Sequence, residues 1–143
     1  MRERPHHARV HVEVARGGWL KRELQPDGRY RVEYVSPFPS PFNYGCLPDS
    51  VGPDGDPFDA VLLGPPRPVG SVVDAPVWGV VRFLDAGLPD DKLVCGASPP
   101  TTADRRRLWA FFVFYAWARS GMNRLQGRRG PTRFLGLDLH APR

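Results

Sequence analysis

Lysine is nearly missing from this chain: of 20 basic residues, 18 are Arg and only Lys21 and Lys92 are Lys. Cysteine is as scarce. Cys46 and Cys95 are the whole supply, with no CxxC pair, which excludes a disulfide framework and a thiolate zinc centre and leaves two free buried thiols as the expectation. The four histidines, His6, His7, His11 and His140, lack metal-ligand spacing. His7 and His11 are four apart but fall in an extended pattern, so they do not share a helical face. There is no long apolar run. The longest, residues 108–118, is far short of the roughly 20 residues that span a bilayer. The opening Met-Arg-Glu-Arg-Pro-His-His has no apolar signal core. A cytoplasmic protein without membrane contact is the expectation.

What is present describes a folding sequence. With 143 residues, 41% hydrophobic and 11% aromatic, the chain suits one domain, residues 1–143, with a core of its own. Gly (15) and Pro (17) are abundant but follow no period, which excludes collagen and favours a loop-rich, largely β architecture. The charge is uneven. Residues 104–143 carry nine basic and two acidic side chains, residues 1–103 eleven and thirteen. A solvated basic face accounts for the excess, and nucleic acid is a possible but not favoured partner.

Val10, Val12 and Val14 alternate with His11 and Glu13, the period of a half-buried strand. Residues 20–24 read as a second strand. Asp27-Gly28 marks a hairpin, and Tyr30, Val32 and Tyr34 alternate with Arg31 and Glu33 in the return strand. Residues 36–41 hold three prolines and read as a loop. Residues 58–63, 77–84, 92–95 and 134–139 read as further strands. Thr101 with Asp104 resembles a capping box, so a helix is predicted over 105–119 with Gly121 ending it. Its middle is apolar on every face, as in a helix buried all round or packed at a subunit interface. The fold class expected is mainly β or α+β: a small five-stranded, OB-like closed barrel with one long C-terminal helix.

The chemistry lies between Asp49 and Lys92. Pro53-Asp54-Gly55-Asp56-Pro57-Phe58-Asp59 sets three carboxylates in six residues, and Asp85, Asp90, Asp91 and Lys92 form a second cluster after a buried strand. Clustered carboxylates repel unless cations neutralise them. Oxygen donors without His or Cys suit Mg²⁺, Mn²⁺ or Ca²⁺. An EF-hand fails, because a loop starting at Asp54 has Pro65 where its twelfth residue must be Glu. Asp-Gly and Asp-Pro also form ordinary turns, so the second acidic loop and the neighbouring lysine are what favour a phosphate site.

These runs resemble the soluble inorganic pyrophosphatases of the OB-barrel type (family I): Asn43-Tyr44-Gly45, then Asp54-Gly55-Asp56-Pro57-Phe58-Asp59, then Gly79 through Asp85, then Asp90-Asp91-Lys92-Leu93. Glu13, the Lys21-x-Glu23 pair and Phe111-Phe112-x-x-Tyr115 extend the likeness over roughly residues 9–120. The resemblance implies Mg²⁺-dependent hydrolysis of pyrophosphate, with Mn²⁺ as an alternative ion. It implies that Asp54, Asp59 and Asp90 hold the first metal, that Asp59 also reaches a second, that Asp85 and Asp90 hold one arriving with substrate, and that Glu13 and Glu23 serve a further one. Asp56 would deprotonate the attacking water, and Lys21, Lys92, Tyr44 and Tyr115 would bind phosphate. Two metals lower the pKa of a bridging water, and cations spread over the leaving phosphate stabilise its charge.

The chain departs from the family's pattern at the phosphate cradle. An acidic residue followed by arginine reads Glu33-Tyr34 here, so Arg31, which shares a strand face with Glu33, is the candidate substitute. Ser40, Ala116 and Ala86 replace an expected tyrosine, lysine and acidic residue. The segment before the helix is short, and the family's final helix has no counterpart. Two alternatives follow: a phosphohydrolase for an organic diphosphate or nucleotide, and a non-catalytic polyanion-binding module. The apolar helix implies a homo-oligomer.

Overall fold

A computed structural model describes residues 7–36, 38–53 and 55–140. Its elements in chain order are strands β1 (His7–Val14), β2 (Leu20–Leu24), β3 (Tyr30–Val35), β4 (Asn43–Leu47), β5 (Phe58–Leu62), β6 (Val72–Asp85), β7 (Leu88–Pro89) and β8 (Lys92–Cys95), helix α1 (Thr102–Leu125) and strand β9 (Arg133–Leu139). Strand β1 pairs antiparallel with β4, β4 with β5, and β5 runs parallel to β8. β8 pairs with β6, and β6 returns to β1. Five strands thus close a ring, the OB-like, mainly β architecture with one C-terminal helix that the sequence predicted. β9 adds to β6 from outside, and β2–β3 form a separate hairpin.

The continuous apolar strands follow from burial on both faces. Ala60, Leu62, Val80, Leu93 and Cys95 join Val10 and Val12 in one core. Their neighbours Val61, Val81 and Val94 point the other way, into a second core with Phe83, Leu108 and Phe112 beneath α1. One face of each strand fills the ring and the other seats the helix.

Three expectations change. β4 was not anticipated as a strand, because Asn43-Tyr44-Gly45-Cys46-Leu47 lacks alternation. All but the last are buried, and Gly45 passes so near β1 that a Cβ there would lie 1.9 Å from the His11 carbonyl oxygen. Gly121 does not end the helix; α1 runs to Leu125, and Gly127, at φ 71°, follows the Gln126 cap. The extra turn is held by buried Asn123, which donates to Asp85 (2.7 Å) and Thr132 (2.9 Å). Nor is α1 buried all round: Leu108 and Phe112 are, while Trp109, Val113 and Trp117 are exposed. The predicted cap is present, with the Thr101 hydroxyl accepting from the Asp104 amide and the Asp104 carboxylate from the Thr101 amide. Both cysteines are free and buried.

Candidate active site

The parallel register of β5 and β8 sets Asp59 beside Lys92. Lys92 is fully buried. Its ammonium donates to Asp59 at 2.9 Å and to Asp90 at 2.7 Å, and it sits over the rings of Phe83 and Tyr115. Burial opposes the lysine charge, but Asp59, Tyr115 and Asp90 outweigh it and hold the pKa high. Burial likewise works against Asp59, whose carboxyl is nonetheless lowered by Lys92, by Lys21 and by hydrogen bonds from Lys92 and Tyr44. Asp90 goes the other way: burial raises it, and Lys92 only partly compensates.

The other side chains arrive from three directions. Glu13 sits at the irregularity between Val12 and Val14 in β1. Buried there, it accepts from the Leu24 amide at 2.5 Å and ties the hairpin to the ring. Burial raises its pKa. The hairpin supplies Lys21 and Glu23 from β2 and Arg31 and Glu33 from β3. Lys21 lies 4.2 Å from the Tyr44 ring centre. A hydrogen bond with Glu33 pushes Glu23 up to about 7, and Arg31 contacts Glu23 at 3.4 Å. α1 supplies Tyr115, which burial raises to about 12.

One cleft of about 310 Å³ gathers Glu13, Lys21, Glu23, Arg31, Tyr44, Asp56, Asp59, Asp85, Asp90 and Tyr115, with Lys92 bonded beneath. Every predicted site residue is thereby brought together except Asp54, which lies outside the described residues. Asp91 belongs elsewhere: it accepts from the Phe83 amide at 3.0 Å and pairs with Arg82, so it shapes the loop. Asn43 is likewise structural, its amide oxygen accepting from the Arg16 and Arg67 amides and its nitrogen donating to Leu62 and Pro65.

Glu33, of the Glu33-Tyr34 pair, also lines the cleft, and two charged residues there lie beyond the sequence motifs: Arg119 and Arg128. Arg119 contacts Asp85 at 3.2 Å and Arg128 does so at 3.5 Å. Arg119 stands four residues after Tyr115, on the same helix face, a spacing readable in the sequence. Arg128 follows a turn whose backbone is tied to Asn123, and no local signal marks it. Seven carboxylates and four cations thus line the cleft above Lys92. Among the described residues, no three carboxylates, histidines or cysteines converge closely enough to hold an ion.

The cleft gathers carboxylates and cations at one end of an OB-like strand ring. The family model for inorganic pyrophosphatase matches residues 10–106. The chain belongs to the inorganic pyrophosphatase family. It is 39% identical over 69 residues to an inorganic pyrophosphatase of Haemophilus influenzae, covering 46% of this chain and 39% of that protein. It is 34% identical over 95 residues to one of Gluconobacter oxydans, covering 64% and 55%. The chain therefore spans well under two thirds of these curated relatives. In structure it is similar to an inorganic pyrophosphatase from Neisseria gonorrhoeae (TM-score 0.74, 25% identity, 94% of this chain and 83% of that one). It shares its fold with one from Thermus thermophilus (TM-score 0.77, 22% identity, 97% and 86%).

Proposed function

We propose that this chain, as one domain, hydrolyses inorganic pyrophosphate to two phosphates in a metal-dependent reaction. The observation that carries the reading is the cleft itself, seven carboxylates and four cations gathered over a buried Lys92. Such a cleft repels a polyanion unless further cations enter with it. Its donors are hard oxygens, seven carboxylates against four lining cations, and divalent ions fit that excess of negative charge. Asp59 and Asp90, with Asp54, would hold a first Mg²⁺ or Mn²⁺, Asp59 also reaching a second. Asp85 with Asp90 would serve an ion arriving with substrate, and Glu13 with Glu23 a further one. Bound there, such ions make hydroxide available near neutral pH and offset phosphate charge.

The chain's own groups divide the remaining work. Asp56 orients the attacking water and takes its proton. Lys21, Arg31 and the Tyr44 and Tyr115 hydroxyls hold phosphate oxygens. Lys92, bonded to both Asp59 and Asp90 from beneath, adds positive charge under the cleft that would favour the leaving phosphate as its charge develops. Arg119 supplies a cation where Ala116 supplies none. Of the nine basic residues in the C-terminal quarter, Arg119 and Arg128 turn inward to Asp85. Free buried thiols suit a cytoplasmic home. The exposed Trp109, Val113 and Trp117 on α1 suit a homo-oligomer. The test is phosphate release from pyrophosphate with Mg²⁺, with Mn²⁺ and with a chelator. Release is expected with either ion and not with the chelator; none with either ion, from folded protein, overturns the reading.

A further inference from the structure

A second cavity of about 260 Å³ opens beside the acidic cleft, between the β2–β3 hairpin and α1. Its wall is apolar and aromatic, with Trp19, Leu20, Val35, Phe38, Phe114 and Met122 prominent. The rim is fixed by two backbone hydrogen bonds, Ser36 to Trp19 (2.6 Å) and Ser40 to Gly18 (2.9 Å). Phe38 stacks edge-on to Phe114 at 4.8 Å. Lys21, Tyr44, Tyr115 and Arg119 line both cavities. Two cations and two phenols therefore stand at the boundary, the chemistry that holds a phosphate with one side in each space.

Inorganic pyrophosphate makes no use of such a wall, because apolar surface cannot pair its oxygens. The wall nonetheless leaves Trp19, Leu20 and Val35 open to solvent, Val35 at 67%. The volume selects the occupant. An apolar cavity of about 150 Å³ holds a benzene ring, so this one has room for roughly ten carbons. That suits a small organic group.

We infer that the site takes diphosphate monoesters, with a short alkyl chain or aromatic ring in this cavity and the diphosphate in the acidic cleft. The inference rests on the proposed pyrophosphate hydrolysis and names its substrate class. The water oxygen bonds to the terminal phosphorus, the bond from that phosphorus to the bridging oxygen breaks, and the bridging oxygen keeps the electron pair. The organic monophosphate leaves with it. One water proton passes to Asp56 and on to solvent, and water is the sole co-reactant.

The test pairs hexyl with methyl esters, equal in charge and different only in apolar length. With Mg²⁺ present, hexyl phosphate is expected to bind about a hundredfold tighter than methyl phosphate by calorimetry, and hexyl diphosphate to show a KM lower by a similar factor. Ala118→Phe, which fills the cavity from α1, is expected to erase that difference. Equal binding of the two phosphates by the unaltered protein overturns the inference, even where pyrophosphate is hydrolysed. Tighter hexyl binding without pyrophosphate turnover supports the cavity and overturns the proposed hydrolysis instead.

Discussion

Lys92 lies 2.9 Å from Asp59 and 2.7 Å from Asp90 with its side chain out of water. Removing the buried cation takes from both carboxylates the ammonium they share. Lys92→Met is therefore expected to cost about 3–5 kcal/mol, read as a lower midpoint in chemical denaturation of chelated protein. Asp56 is exposed at the cleft mouth. Asp56→Asn is expected to cut phosphate release by about a hundredfold or more while leaving the denaturation midpoint in place; unchanged turnover would remove Asp56 from its role. Glu23 has a pH signature. Its carboxyl is held up to about 7 by Glu33, so the folded state keeps a proton that the unfolded chain gives up near its ordinary value of 4.5. That contribution to stability is full below pH 4.5 and lost as pH rises through 7. Chelated protein is expected to lose more stability between pH 5 and pH 8 than Glu23→Gln does, measured by urea denaturation at both. Most of these residues were legible in the sequence, because carboxylates and lysines at fixed spacing carry their chemistry with them. Arg128 was not, because it reaches Asp85 through a turn whose geometry depends on Asn123.

The helix α1 shows where local rules end. Its start was readable, since a capping box needs only Thr101 and Asp104. Its end was not. A glycine inside a helix costs about 1 kcal/mol against alanine, and the buried hydrogen bonds of Asn123 to Asp85 and Thr132 carry the helix past Gly121. β4 shows the same limit in a strand: Gly45 has no side chain to continue an alternation, and its reason is the nearness of the His11 carbonyl. Strands 58–62 and 92–95 were readable as buried because both of their faces are apolar, one toward the ring and one toward α1. Phe112 is the knob that couples these layers. Fully buried, it meets Phe42, Phe83, Phe111 and Phe134. Phe112→Ala is expected to destabilise the fold by about 3–5 kcal/mol, visible as a thermal midpoint well below that of the unaltered protein. Tyr115 is packed against the same rings, so phosphate release is expected to fall with it.

At the scale of the whole molecule, α1 has two unlike sides. One seats on the ring through Leu108 and Phe112. The other carries Trp109, Val113 and Trp117 at four-residue intervals, with Trp117 76% exposed, so the three form one stripe along the helix. Trp109 leans on Phe134 of β9, at 4.9 Å between ring centres, and exposed Leu135 of the same strand stands nearby in sequence. Two tryptophans and a valine in water cost hydration that burial against a second copy of the chain would relieve. Arg105 continues the same four-residue spacing toward the helix start, and Arg107 pairs with Asp104 at 3.6 Å. Trp117→Glu puts a carboxylate in the middle of the stripe, where burial against a partner is unfavourable. The unaltered protein is expected to scatter light as an oligomer at micromolar concentration. Trp117→Glu is expected to shift toward the 16.0 kDa monomer with its denaturation midpoint little changed per chain. A monomer across the whole concentration range, in the unaltered protein, would overturn the homo-oligomer.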